Sequence, residues 1–279
     1  LADHRPHLNL IESSRQLFEL DPSATVRAGS GWVFGAGGHG HPVISNAAFR
    51  SDDSLDAEEF VARATEFFAE RKRGFSVWVR GDQPEDCDLV AAADAAGLEL
   101  VYEMPEMVLK TPVDPPFLPP GAELRQVSTP EQATDYWEIA AASYISLGFP
   151  PEIFGGYSNH AGLLAENVAA FIAYLDGDPV SIAMTIVTHR VAGVYWVGSL
   201  EQARGQGLGR AVTAAATSAG FELGADLASL QASPMGKPIY EEMGYETVFD
   251  YRLYMSAAPE RSGARPPQST GQSASAHSR

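Results

Sequence analysis

The chain has 279 residues, 45% of them hydrophobic and 20% charged, enough for two modest domains or one large one with a core that needs no covalent staples. Cys87 is the single cysteine; an internal disulfide is excluded, and the residue lacks the partners of a metal site. A formal net charge of −17 disfavours nucleic acid and anionic membranes at long range, favours a cationic substrate and keeps the chain soluble.

The opening LADHRPHLNL lacks the layout of a secretion signal, and no apolar run approaches the ~20 residues of a membrane span; a cytoplasmic location is expected. Leu8–Leu20 has the spacing of an amphipathic helix, and Trp32–Phe34 and Val43–Phe49 read as short strands. Gly35-Ala36-Gly37-Gly38-His39-Gly40 matches GxGxxG, but His41-Pro42-Val43-Ile44 follows as extended chain where a dinucleotide loop needs a helix. A glycine-rich hairpin is predicted instead. His39 and His41 lack the acids or cysteines that would complete a metal site. Ala57–Arg73 is a stronger helix, with Phe60, Ala64, Phe67 and Phe68 at helical spacing. Phe75–Val79 reads as a strand, Asp88–Ala96 as a helix stopped by Gly97, and Leu98–Leu109 as a long strand.

Residues 111–121, TPVDPPFLPPG, carry five prolines. These remove backbone donors and restrict their neighbours, so a linker between two domains is predicted. Beyond it Ala122–Val127 is a strand, and Thr129 and Pro130 supply a cap and first position for a helix reaching about Ser146. Pro151–Asn167 is weakly helical. Ala169–Leu175 and Pro179–Thr188 are strands joined by a hairpin at Asp176-Gly177-Asp178, and Val191–Leu200 is a third strand. Gly207–Leu223 is a helix, Leu227–Ala232 a strand, Pro234–Met243 a helix and Tyr245–Met255 a closing strand. The tail from Pro259 to Arg279 is too poor in large apolar groups to order itself. The fold class is α/β, with a mixed, mostly antiparallel central sheet flanked by helices.

The chemistry is concentrated at the turn between Leu200 and the helix that follows. Arg204-Gly205-Gln206-Gly207-Leu208-Gly209-Arg210 combines glycines that let a ligand reach the main chain with the free amides of a helix start and two arginines. Neither a P-loop nor GxGxxG fits this spacing. The R-x-x-G-x-G pattern, followed by Ile239-Tyr240-Glu241-Glu242-Met243-Gly244-Tyr245, resembles the GNAT superfamily of N-acetyltransferases over about Glu123–Met255. Ser199-Leu200-Glu201 stand where the family often has Val-x-Pro, and Gln231 or Ser233 must serve for its asparagine.

The resemblance implies acetyl-CoA as co-substrate, no metal, and transfer to an amine of a small molecule or peptide. It assigns cofactor binding to Val197, Gly198, Ser199, Arg204, Gly205, Gln206, Gly207, Leu208, Gly209 and Arg210. Amides of Val197–Ser199 would hold the carbonyl oxygen. Tyr240, a phenol with an ordinary pKa near ~10, would give its proton to the leaving thiolate. No general base is evident: Glu201 faces the phosphate turn, Tyr195 is a poor base unless water relays the proton, as it often does in the family, and His189 reads as a surface residue at a strand end near the expected active face. The order from Ala57 to Leu109 resembles the later part of the same fold without the phosphate loop. Two tandem GNAT-like units follow: a degenerate or accessory unit at 1–110, linker 111–121, acetyltransferase domain 122–256, and tail 257–279. A homodimer is compatible with this reading, and neither nucleic acid nor membrane is an expected partner. A non-catalytic acyl-CoA-binding regulator on the same scaffold is the competing reading.

Overall fold

A computed structural model describes residues 3–43, 45–114, 117–151, 153 and 160–256. The predicted tail lies outside the described residues, as do 152 and 154–159 of the weakly helical stretch expected at 151–167, in which His160–Leu164 form a 3-10 helix. In chain order the elements are α1 (Arg5–Leu20), β1 (Thr25–Gly29), β2 (Trp32–Ala36), β3 (Asn46–Arg50), α2 (Ala57–Glu70), β4 (Ser76–Arg80), α3 (Cys87–Ala95) and β5 (Glu99–Leu109). Then follow β6 (Ala122–Gln126), α4 (Pro130–Ile145), β7 (Val168–Leu175), β8 (Asp178–Thr188), β9 (Val191–Ser199), α5 (Leu208–Glu222), β10 (Leu227–Gln231), α6 (Lys237–Glu242) and β11 (Glu246–Met255). Among the described residues no helix is long and apolar enough to cross a membrane.

Local chemistry accounts for most boundaries. Asp56 caps α2 by accepting from the amides of Glu58 and Glu59, and Phe60, Val61, Ala64, Phe67 and Phe68 turn inward on one face of that helix. Thr129 and Gln132 form a reciprocal capping box at the start of α4. The β7–β8 turn has positive φ at both Asp176 and Gly177, the conformation that matches strand twist in a two-residue hairpin. Three expectations are corrected in detail. β1 was not anticipated; its TVRAG sequence is largely exposed at the sheet edge and has no apolar alternation. β3 begins at Asn46 rather than Val43, because the β2–β3 pairing ends at Ala36↔Asn46. α6 begins at Lys237, after a turn in which the amides of Gly236 and Lys237 bond Ser233 O.

The eleven strands make one sheet, in the order β1-β2-β3-β4-β11-β5-β10-β9-β8-β7-β6. Only β3–β4 and β9–β10 are parallel, and each of those pairs is joined by a crossover helix, α2 or α5. The same strand–helix–strand–helix–strand unit therefore occurs before and after the proline-rich segment. The units are not merely packed together. β11, the last strand of the second, lies between β4 and β5, and β5, the last strand of the first, lies between β11 and β10. Each half thus places its closing strand against the parallel pair of the other.

Alternation along the strands builds two faces. Phe34, Ala48, Val77 and Val79 pack with α2 and α3, while Ala192, Ala228 and Leu230 pack with Val212 and Ala216 of α5 and Tyr240 of α6. On the opposite face α1 covers Ala47, Phe49, Tyr251 and Leu253, and α4 covers Ile172, Ile182 and Met184. The inner side of α1 also buries His7, Asn9 and Ser13, so a polar seam runs under this helix.

Candidate active site

β9 and β10 pair only through Val191, Ala192 and Gly193, opposite Leu227, Ala228 and Ser229. Beyond that point they part: β10 continues along β5 as far as Gln231, and β9 continues along β8 as far as Ser199. The β10-facing edge of β9 is left without a strand from Val194 onward. An unpaired strand edge is a row of main-chain donors and acceptors that an extended ligand can complete. Within this stretch the β8–β9 register slips between Met184↔Tyr195 and Ile182↔Gly198, and Trp196 has φ 52°. The bulge re-aims the chain: Tyr195 and Trp196 both lie against the α4 core, and Val197 against the α5 core. Gly198 is pressed by α4, where an added Cβ would sit 3.0 Å from the Cβ and Oγ of Ser143. Ser199 Oγ is 2.7 Å from Ser181 Oγ.

At the end of β9 the chain turns through a short 3-10 segment, Glu201–Ala203, into the glycine loop. Gly205 has φ 74° and Gly207 φ 80°, left-handed values that any larger residue adopts at a cost of about 1–2 kcal/mol. Gly207 caps α5 without a side-chain acceptor. The first intrahelical amide bond is Ala211 N to Gly207 O, so the amides of Leu208, Gly209 and Arg210 have no acceptor among the described residues. Three free amides at the positive end of a fifteen-residue helix make an anion site. Arg204 leans across the approach, with Nε donating to Ser199 O at 3.3 Å and Nη2 to Ser146 Oγ. Arg210 is exposed and pairs with Glu242 of α6 at 3.2 Å. Gln206 bonds Gln202 O at 3.2 Å.

Tyr240 projects from α6 into the core beneath this loop. Gly244, at φ 92°, closes the helix through paired bonds from Gly244 N to Glu241 O and Tyr245 N to Tyr240 O, a Schellman stop. Tyr245 is thereby turned under α5, where its hydroxyl meets Thr217 Oγ1 at 2.7 Å. The Tyr240 hydroxyl has no hydrogen-bond partner among the described residues. Burial pushes its pKa up to about 12, which replaces the ordinary phenol expected from the sequence.

On the α1 face, two residues past the last β9–β10 pair, stands a carboxyl group that the sequence did not single out. Glu106 of β5 is fully buried. Its Oε2 accepts from Gln231 Nε2 at 2.6 Å, and its Oε1 has no hydrogen-bond partner. Burial raises its pKa to about 8, against the lowering effect of Gln231 and Ser229. The available signal was one acid inside the apolar run Met104–Leu109.

Other candidates are elsewhere. The Tyr195 hydroxyl donates to Asn9 Oδ1 at 2.7 Å, while Asn9 Nδ2 donates to Ile186 O and Val191 O; burial drives the phenol pKa up, so Tyr195 is a framework group. His189 is corrected: it occupies the β8–β9 turn, at the opposite end of nine-residue β9 from the glycine loop, roughly 30 Å away at strand rise. His41 rests on Phe149, ring centroids 5.7 Å apart, and burial lowers its pKa to about 4. Among the described residues no group of His, Cys, Asp and Glu is arranged to hold a metal ion. An apolar cavity of about 250 Å³ lies between α1 and α4, over Leu17, Trp137, Leu163, Met184 and Ile186.

The sequence matches no protein-family model and no curated protein. The structure is similar to a GCN5-related N-acetyltransferase from Kribbella flavida, with a TM-score of 0.66 and 23% identity over 90% of this chain and 96% of that one. It is also similar to a GCN5-related N-acetyltransferase from Sphaerobacter thermophilus, with a TM-score of 0.61 and 13% identity over 90% and 92% of the two chains. A tandem GNAT protein from the clavulanic acid biosynthesis pathway aligns with a TM-score of 0.58 and 14% identity over 90% of this chain and 96% of its own. The fold is the GNAT fold, and its full-length likeness to a tandem GNAT protein agrees with two units in one chain.

Proposed function

We propose that the chain is an acetyl-CoA-dependent N-acetyltransferase acting on an amine of a small molecule or peptide. The observation that carries this reading is the open fork between β9 and β10, which leads to three unpartnered amides at the start of α5. That arrangement suits a ligand with an extended, amide-bearing arm and a pyrophosphate at one end. When bound, acetyl-CoA supplies an acetyl group already activated as a thioester. The amides of Leu208, Gly209 and Arg210 hold the pyrophosphate, with Arg204 donating beside them. The free edge of β9 aligns the arm. Amides of Val197–Ser199, at and after the bulge, polarise the carbonyl oxygen. Tyr240 donates a hydrogen bond to the sulfur as it becomes a thiolate. The cavity over Met184, the register partner of Tyr195 beside the bulge, accommodates an apolar part of the acceptor.

Calorimetry with acetyl-CoA and Arg204→Ala tests the site. A lost charged hydrogen bond should weaken binding by about 1.5–3 kcal/mol, with Tm measured alongside because Arg204 also ties β9 to α4. Unchanged affinity would remove Arg204 from the site. Release of free thiol in the presence of an amine library tests transfer; tight binding with no thiol released by any amine would favour the non-catalytic regulator.

A further inference from the structure

We propose that Glu106, carried into the site by the closing strand of the first half, is the general base that takes the proton from the acceptor ammonium. The inference rests on the acetyl-transfer reading above and adds the group which that reading lacks.

Three observations place it. The first is position along the sheet. Ser229 is the last residue of β10 paired to β9, and Gln231, opposite Glu106, lies two residues into the fork. Continuing the parallel register, Glu106 stands level with Tyr195, one residue before the bulge that aims the main chain at the acetyl carbonyl. The second is side-chain direction. Glu106 shares a face with Tyr195, Tyr251 and α1, opposite the face that carries α5 and the glycine loop. A ligand lying in the fork with its pyrophosphate on α5 would have Glu106 on its other side. The third is unused capacity. One carboxyl oxygen is held by Gln231, and the other is buried without a partner. Burying an acceptor that nothing satisfies is costly, and an ammonium brought to that oxygen satisfies it.

The neighbours give Glu106 no competing charge. From β9 it faces Tyr195, from β11 Tyr251, and from β10 Ser229 and Gln231. α1 contributes Asn9 and His7, which bind the hydroxyls of Tyr195 and Tyr251. His7 is held neutral, its pKa lowered to about 3 by burial and then by Arg80. Arg80 itself is engaged by Asp86 at 2.8 Å.

The step balances as follows. The ionised carboxylate takes one proton from R–NH3+, leaving a neutral amine. The nitrogen lone pair forms the C–N bond as the C–S bond breaks, and the thiolate leaves with the electron pair. The second proton, lost from the attacking nitrogen, goes to the sulfur alongside Tyr240. Glu106 returns its proton to solvent. Because the raised pKa must be exceeded for the carboxylate to form, kcat/KM rises with pH through about 8 and levels above it.

Glu106→Gln keeps the shape and an oxygen for Gln231 but cannot take a proton. With an acceptor found by thiol release, kcat/KM should fall by about 10²–10⁴ and lose the acid limb near pH 8, while acetyl-CoA affinity and Tm hold. In wild-type protein a protonated-carboxyl infrared band should titrate near pH 8 and be absent from the variant, a readout independent of turnover. Wild-type rate and an intact acid limb in Glu106→Gln would overturn the base while leaving the transferase reading in place. A wild-type protein that binds no acetyl-CoA would overturn both.

Discussion

Replacing Tyr240 by Phe separates chemistry from packing at the sulfur end of the site. The ring is kept, beside Gly236 and 6.1 Å from the ring of Tyr245; only the hydroxyl is lost. Since that hydroxyl has no hydrogen-bond partner among the described residues, its removal strands nothing, and Tm should be unchanged or slightly higher. Tyr245→Phe is the control. Its hydroxyl bonds Thr217 Oγ1 at 2.7 Å, so this variant should lose about 1 kcal/mol of stability and no activity per folded molecule. The catalytic magnitude follows from the pKa values. Burial holds Tyr240 at about 12, whereas a thiol titrates near ~8.5. Complete transfer of the phenolic proton to the thiolate is therefore uphill by about 5 kcal/mol. A hydrogen bond to the developing negative charge needs no such transfer and contributes about 1.5–3 kcal/mol. Tyr240→Phe should accordingly lower kcat by about 10- to 200-fold, short of the loss caused by removing an obligatory proton donor. The assay is single-turnover thiol release under saturating acetyl-CoA, with affinity measured separately by calorimetry. Wild-type kcat in that regime would refute the role, and a large drop in Tm would refute the account of the hydroxyl.

Gly209→Ala should cost no stability, because Ala is favoured within a helix by up to about 1 kcal/mol and the added Cβ meets only Ser199 Oγ, at 3.4 Å. The methyl group nevertheless stands beside the free amides of α5, so acetyl-CoA affinity should fall at constant Tm; equal affinity would mean that no ligand approaches there. Arg50→Ala removes a buried guanidinium that donates to Asp88 at 2.6 and 2.8 Å and to Glu85 O at 2.8 Å. The Asp88 side chain is 55% exposed and is rehydrated when its partner goes, so the loss should be about 1–3 kcal/mol, the cost of the charged hydrogen bonds and the unpaired Glu85 carbonyl, measurable by denaturant unfolding. Turnover per folded molecule should stay constant because the Arg50 side chain points to Asp88 and Glu85 and not to the fork.

What could be read from the sequence is what short-range chemistry determines. The Thr129 cap, the Asp176-Gly177 turn, the glycine loop and Gly244 each fix a local conformation by their own side chains or lack of them. Helix α2 was legible because its phenylalanines recur at one period. The partners of a strand are not encoded that way: β5 and β11 read equally well as closing strands of separate units, and nothing in their residues announces that each pairs with the other half. The polar inner face of α1 was illegible for a related reason. His7, Asn9 and Ser13 look solvent-facing until Tyr251 and Tyr195 bring hydroxyl groups to the first two of them. The positive φ of Trp196 had no signal at all, since a bulky residue is the last expected in that conformation.

The exchange of closing strands would also account for the lack of an evident general base in the half that carries the glycine loop. In a unit closed by its own last strand, β10 would lie beside β11. Here β5 takes that place, and Gln231 meets Glu106 rather than a residue of its own half. Gln231, one of the two residues offered for the position that the family resemblance gives to an asparagine, is thus coupled to a carboxyl group 125 positions away in the sequence, though adjacent to the fork in space. A half that has no phosphate loop still shapes the reaction if its last strand supplies the acid–base group.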